Sequence, residues 1–314
     1  MSTGLNAQIG YAVEATPGTY ETVTKFFEFV PPLGLRKITT HTKSRAIRAN
    51  RILPHAIDLG TYTVEGPVTH ELTAETTGIL LKAMIEATPV TAGTNPYTHT
   101  YDFSTEVASI SAQTGLPATA AVHPIGFVGL RCRQWTVTVR PGDTYATLTL
   151  DWIGKTVDTD GTPALASASY ATFTRFLFTH ATVTVAGSEV CVDNFTLTGT
   201  TGWGMEHKVC STDAGAAALF RESKATVTGS FVTDLANLTQ LGRLHAGTQA
   251  AVVIGFSAGA SAALTFTMNA EFVGEMPIIE GEGKTKETVN FEAIHATADA
   301  SACTAVLTNT DSTP

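Results

Sequence analysis

The most suggestive chemical pattern in the 314-residue chain is Gly255-x-Ser257-x-Gly259, with Glu271 and His295 following in the order of a hydrolase triad. A nucleophile elbow needs a strand, a sharp turn and then a helix, so that its serine stands exposed above the sheet. Here Ser257 lies in a Ser/Ala/Gly loop that leads into alternating Leu264, Phe266 and Met268, so a hairpin loop is expected instead. Gly283-Lys284-Thr285 echoes the end of a phosphate loop, but Ile278 takes the place of the first glycine, and Glu280 and Glu282 would repel phosphate. A charged hairpin turn over 280–286 is the simpler reading. The nine histidines show no metal-ligand spacing. Cys132, Cys191, Cys210 and Cys303 form no C-x-x-C pair and read as buried thiols of a reducing compartment. No enzyme, cofactor or metal site emerges.

Charge narrows the partners. The chain carries 19 Lys and Arg against 28 Asp and Glu, a net −9, which excludes broad electrostatic capture of a nucleic acid backbone. Charged residues are only 15% of the chain, against about 25% in ordinary soluble proteins, so the surface is dressed with Thr and Ser or covered by partners. The one basic segment is 41–55, where Arg45, Arg48 and Arg51 recur every three residues. It reads either as a solvated loop or short helical face, or as an arm that docks on an acidic neighbour, another copy of this chain included.

The elements around these residues are mostly strands. Trp135, Val137 and Val139 alternate with Thr136 and Thr138, Pro141-Gly142-Asp143 supplies a turn, and Ala146, Leu148, Leu150 and Trp152 return. Two helices are predicted: one over 73–87, capped by Thr73 with Glu75 in its first turn and stopped at Thr88-Pro89, and one over 235–245 stopped by Gly247. The nearly uncharged segment 244–270 alternates about a turn and so reads as a hairpin rather than a membrane span. The start of the sequence has no basic or apolar run of signal-peptide type.

An internal repeat links the halves. Thr63-Val64-x-Gly66 with Leu72 matches Thr226-Val227-x-Gly229 with Leu235, and Thr147, Asp151 and Ile153 match Thr288, Glu292 and Ile294. The expected organisation is an N-terminal arm 1–20, a first β unit 21–160, a linker 161–175, a second β unit 176–297 and a loose tail 298–314.

The N-terminal third carries a family resemblance. Ile9-Gly10-Tyr11-x-x-Glu14-x-x-x-Gly18-Thr19 leads into Phe27-Glu28-Phe29, the Arg45/Arg48/Arg51 segment, Gly60-x-Tyr62-x-Val64-x-Gly66 and the first helix. The series resembles the major tail tube proteins of long-tailed, non-contractile bacteriophages over residues 9–87, and on through 155. That resemblance implies a mainly β fold, a tail-tube-type β-sandwich or barrel with a flanking helix, here duplicated in tandem. It implies a structural virion protein whose copies form stacked rings, a conduit for DNA ejection with an acidic lumen, assembled in the host bacterial cytoplasm and resident in the virion tail. Implied partners are other copies of itself, the tape measure protein, and the tail terminator and distal tail proteins, with DNA passing through unbound and no membrane. Such rings are hexameric in the family, so a trimer of duplicated chains would supply six units. Arg45, Arg48, Arg51 and Glu14 are the candidate inter-subunit contacts. Asp151, Glu292, Glu71 and Asp234 are the candidate acids of the lumen and its hairpins. The alternative is a two-domain β-sandwich binding, adhesion or decoration module of a virion.

Overall fold

The computed structural model describes residues 3–47, 49, 52–53, 56–103, 109–158, 163–209, 214–274, 283–295 and 301–313. Strands hold 53% of the residues and helices 8%, as the alternation of Thr with Val, Leu and aromatic residues predicts. The first half contains β1 (Gln8–Val13), β2 (Lys25–Phe27), β3 (Arg36–Lys43), β4 (Ile57–Glu71), α1 (Thr77–Ile85), β5 (Val90–Ala92), β6 (Tyr97–Asp102), β7 (Ile110–Pro117), β8 (Val122–Val139), β9 (Thr147–Gly154) and β10 (Thr156–Asp158). The second contains β11 (Ala181–Val185), β12 (Ser188–Val190), β13 (Val192–Thr200), β14 (Trp203–Glu206), β15 (Ala218–Arg221), β16 (Thr226–Asp234), α2 (Thr239–Ala246), β17 (Ala250–Ser257), β18 (Ala263–Val273), β19 (Lys286–Ala293) and β20 (Cys303–Asn309).

All pairings are antiparallel, and they run in the same order in both halves. In the first, β1 lies between β2 and β7, β7 pairs with β8, and β8 also pairs with β10. The far end of β8 pairs with β9, β9 with β4, and β4 with β3. In the second, β11 lies between β12 and β17, β17 pairs with β18, and β18 with β20. The far end of β18 pairs with β19, β19 with β16, and β16 with β13. The long β8 therefore serves two sheets and must bend between them. Gly129 makes the bend, with φ +67° and its amide donating to buried Glu14 at 2.6 Å. Among the described residues the sheets remain open and no barrel closes.

One apolar core spans both halves, with Trp135, Trp152, Phe195, Phe231, Phe256 and Phe266 fully buried. α1 runs through it, burying every residue but Lys82. Trp135 stacks on Phe266 with centroids 6.0 Å apart and donates its indole N–H to the Met84 carbonyl at 3.2 Å. Against Tyr11 and Phe27, His70 is buried and hydrogen-bonded at both ring nitrogens. Its Nδ1–H donates to the Glu28 carbonyl at 2.8 Å, and its Nε2 accepts the Tyr11 hydroxyl at 3.1 Å. Burial pushes the His70 pKa down to about 4.

Several expectations need correction. α1 begins at Thr77 rather than Thr73, because Thr73 is held in a bridge to Arg175 and the Glu75 carboxylate accepts the Thr174 amide at 2.7 Å. It stops at Glu86, in the left-handed region at φ 56°, ahead of Thr88-Pro89. α2 begins at Thr239, four residues late, though Gly247 does end it at φ 59°. The expected N-terminal arm contains β1, paired on both edges, and the expected loose tail contains β20, which pairs with β18 and β6. Cys132 and Cys303 are buried as expected, whereas Cys191 is exposed and Cys210 lies outside the described residues.

Candidate functional site: a threonine-lined sheet face and an uncovered hairpin

The hydrolase and phosphate patterns are not brought into catalytic arrangement. Ser257 ends β17, and a turn closed by the Ala258 amide on the Ala262 carbonyl at 2.9 Å leads straight into strand β18, so the helix an elbow requires is not there. Lys284 pairs with Asp234 at 2.8 Å, a contact that holds the Asp234 carboxyl below its ordinary range, while residues 275–282 lie outside the described residues. Among the described residues no group of His, Cys, Asp and Glu could hold a metal, and no helix is long and apolar enough to cross a membrane.

What the strands build instead is a broad surface. β8 and β13 pair edge to edge, Trp135 opposite Gly199, and so join the halves. The strands follow one another as β3, β4, β9, β8, β13, β16, β19 and β18. Directly opposed residues share a face, so the registers define its rows. One runs Thr69, Thr149, Thr136, Thr198, Thr228, Glu292, Glu271. The next runs Glu71, Thr147, Thr138, Thr196, Ser230, Asn290. Hydroxyls bond across strands, Thr69 to Thr149 at 2.9 Å and Thr136 to Thr198 at 3.3 Å. The opposite face carries Trp135, Leu148, Leu150, Leu197 and Phe231 into the core.

All four acidic residues predicted for the lumen and hairpins stand on the threonine face: Asp151 opposite Gln134, Glu71 opposite Thr147, Asp234 opposite Lys286 and Glu292 opposite Thr228. Three are neutralised locally, Asp151 by Arg133 at 2.6 Å, Glu71 by Arg175 at 2.5 Å and Asp234 by Lys284 at 2.8 Å. The expected match of Asp151 with Glu292 is off by two. Gly66 faces Trp152 and Gly229 faces Phe291, so the residue in the place of Asp151 is Asn290.

The inter-subunit candidates divide. Glu14 is 6% exposed, and its carboxylate accepts the Gly18 and Gly129 amides and the Ser111 hydroxyl, so its oxygens brace its own chain. Arg45 is exposed beyond β3; Arg48 and Arg51 lie outside the described residues. Ile38, Thr39, Thr40 and Thr42 carry β3 as far as Lys43, so the strand stops short of Arg45 but runs into the start of the basic segment 41–55. Sequence reasoning missed its apolar content: Ile47, Ile52 and Leu53 are 100%, 101% and 80% exposed, and Ile57 and Leu59 are bare too. The isolated large apolar residues among arginines were the available signal.

A search of curated proteins finds no match. A family model described as phage tail tube protein matches residues 4–293, nearly the whole chain, and the chain belongs to that phage tail tube protein family.

Proposed function

We propose that copies of this chain join edge to edge through β3 and the β18 side of the sheet, closing a ring whose threonine face lines a conduit for DNA. Family membership makes the protein a structural component of the virion tail. The observation that carries the finer reading is the β8–β13 seam. β13 occupies in the second half the place of β3 in the first, and β18 the place of β8. The outer edge of β3 and the edge of β18 at Val273 are unpaired among the described residues. Carrying the seam's register across, where Thr200 faces Gln134, sets Ile38 of one chain opposite Val273 of the next. Both are apolar and part-exposed, at 38% and 44%. Pairing them removes two open sheet edges, which a long-lived assembly has to cover.

The matched pairings support a tandem duplication, with one tube-forming unit on each side of 161–175. Ring size then follows from geometry. With eight strands per chain on the shared face, three chains spaced at about 4.8 Å and tilted about 40° enclose a backbone cylinder of about 50 Å. Six chains would double it to about 100 Å. Three suits a single duplex with its hydration. With Asp151, Glu71 and Asp234 paired to Arg133, Arg175 and Lys284 among neutral threonines, the face is close to neutral and offers phosphates little to adhere to. Assembly in the host cytoplasm, and docking to the tape measure, terminator and distal tail proteins, belong to the same reading. Negative-stain electron microscopy of the purified protein tests it: three-chain rings or stacked tubes are expected, and a persistent monomer at high concentration overturns it.

A further inference from the structure

We propose that the connection between β3 and β4 of one chain folds onto Glu271 and Glu292 of a second copy, with Lys43 and Arg45 as the pairing cations. The inference rests on the ring reading and names a second contact within it.

Two connections in this chain occupy matching places. Residues 39–62 lie beyond the pair Ile38–Thr63, where β3 and β4 stay paired as far as Lys43–Ile57; residues 201–225 lie beyond the matching pair Thr200–Thr226. They are nearly equal in length but lie differently. The second is folded down on the first half as the β14–β15 ribbon. The Trp203 indole and Arg221 both bond the Glu86 carboxylate, Arg131 lies over the Trp203 ring at 5.1 Å, and the Tyr62 amide donates to the Ala214 carbonyl at 3.0 Å. The ribbon leaves Ile153 only 1% exposed and Arg131 8%. In the first, Tyr62 is held at the ribbon, but among the described residues farther out Ile47, Ile52 and Leu53 are bare.

The surface it matches is equally definite. In the first half, the row beyond Gly66–Trp152–Cys132 is Glu65–Ile153–Arg131, the row at the ribbon. In the second half, the row beyond Gly229–Phe291–Phe272 is Thr228–Glu292–Glu271. There the two glutamates face each other directly across the strands, both exposed. Like charges so placed destabilise a sheet unless a cation comes between them. At the ribbon, Arg221 of the connection pairs with Glu86 of the half beneath it and Arg131 of the sheet lies over Trp203. Here the sheet row is acidic and the connection carries Lys43 and Arg45, both exposed, so the charges are again complementary. The acceptor must be another chain, because β3 and β18 stand at opposite ends of the strand run, about 30 Å apart at strand spacing.

The test compares four full-length proteins by sedimentation velocity and negative-stain microscopy, with circular dichroism and melting temperature as the check on folding. Wild type assembles. Lys43→Glu with Arg45→Glu, and separately Glu271→Lys with Glu292→Lys, stay folded and need at least ~10-fold higher concentration to assemble, the scale of a lost charge-pair contact. All four substitutions in one chain return assembly to within ~3-fold of wild type, because attraction is restored with its signs exchanged. Carbodiimide treatment of wild-type assemblies provides a measurement free of mutation, and peptides joining Lys43 to Glu271 or Glu292 of another chain are expected. Folded acid-pair variants that assemble like wild type, failure of the fourfold exchange to recover, or absence of those cross-links from intact rings overturns this contact and leaves the ring reading standing. A monomeric wild type overturns both.

Discussion

Gly199→Ala probes the seam that holds the halves together. Gly199 faces Trp135 across the β8–β13 pair, and a Cβ added there would lie 2.1 Å from the Trp135 ring. Ordinary contact needs well over 3 Å, so ring or strand must shift by more than an ångström. The ring has nowhere to go: Trp135 is 0% exposed, stacked on Phe266 and tied to the Met84 carbonyl. Overpacking of this kind costs about 1–3 kcal/mol. Pulling the buried indole N–H from its acceptor adds about 1–3 kcal/mol. Alanine recovers at most about 1 kcal/mol over glycine in a strand. The net loss is about 1–6 kcal/mol, which in a protein of this size lowers the melting temperature by roughly 2–12 °C. Differential scanning calorimetry reads the shift, and Gly199→Ala in a Trp135→Leu background, where the ring is gone, should cost less than about 1 kcal/mol more. A single variant melting within about 1 °C of wild type would refute the argument that the indole occupies the glycine's empty space.

His70 makes stability fall with acidity. Its folded pKa, about 4, lies below the unfolded value near 6.5, so the unfolded chain takes up a proton that the folded chain refuses. The loss begins as pH drops through 6.5 and is complete below 4, about 3 kcal/mol in all. Urea unfolding across that window should show a steeper decline for wild type than for His70→Gln, and parallel curves would count against it. The assembled protein should also bind double-stranded DNA weakly at physiological salt, as an acidic chain with a locally neutralised threonine face requires. Tight binding with a steep salt dependence, measured by fluorescence anisotropy, would contradict it.

Local pattern made the hairpins legible. Alternation about Pro141-Gly142-Asp143 predicted β8 and β9, and the Thr residues at every second position predicted the polar face that now runs through both halves. Relations set by distant partners were not legible. Glu14 looked like a surface acid until Gly129 and Ser111, more than ninety residues away, turned out to consume its oxygens. The β-branched residues Ile38, Thr39, Thr40 and Thr42 extend β3 to Lys43, into the start of a segment that the charge pattern alone would read as loop, while Arg48 and Arg51 lie outside the described residues. β20 was dismissed as polar tail although Cys303, Ala305 and Leu307 alternate, because a short run of small residues gains its burial only from β18 and β6.

β20 also sets an order of events during synthesis. It bridges β18 of the second half and β6 of the first, with Thr304 bonding Asp102 at 2.6 Å across 202 residues, and Asn309 donating to the Ala74 carbonyl beside α1. Just beyond it, Asp311 pairs with Lys25 at 2.6 Å. Until that stretch leaves the ribosome, the β6 edge and the approach to α1 are open, and a nascent chain cannot complete its joint between halves. Chains in which β20 has not yet emerged therefore lack the strand that ties β18 to β6, so the order of synthesis sets the order in which the two halves can be fastened together.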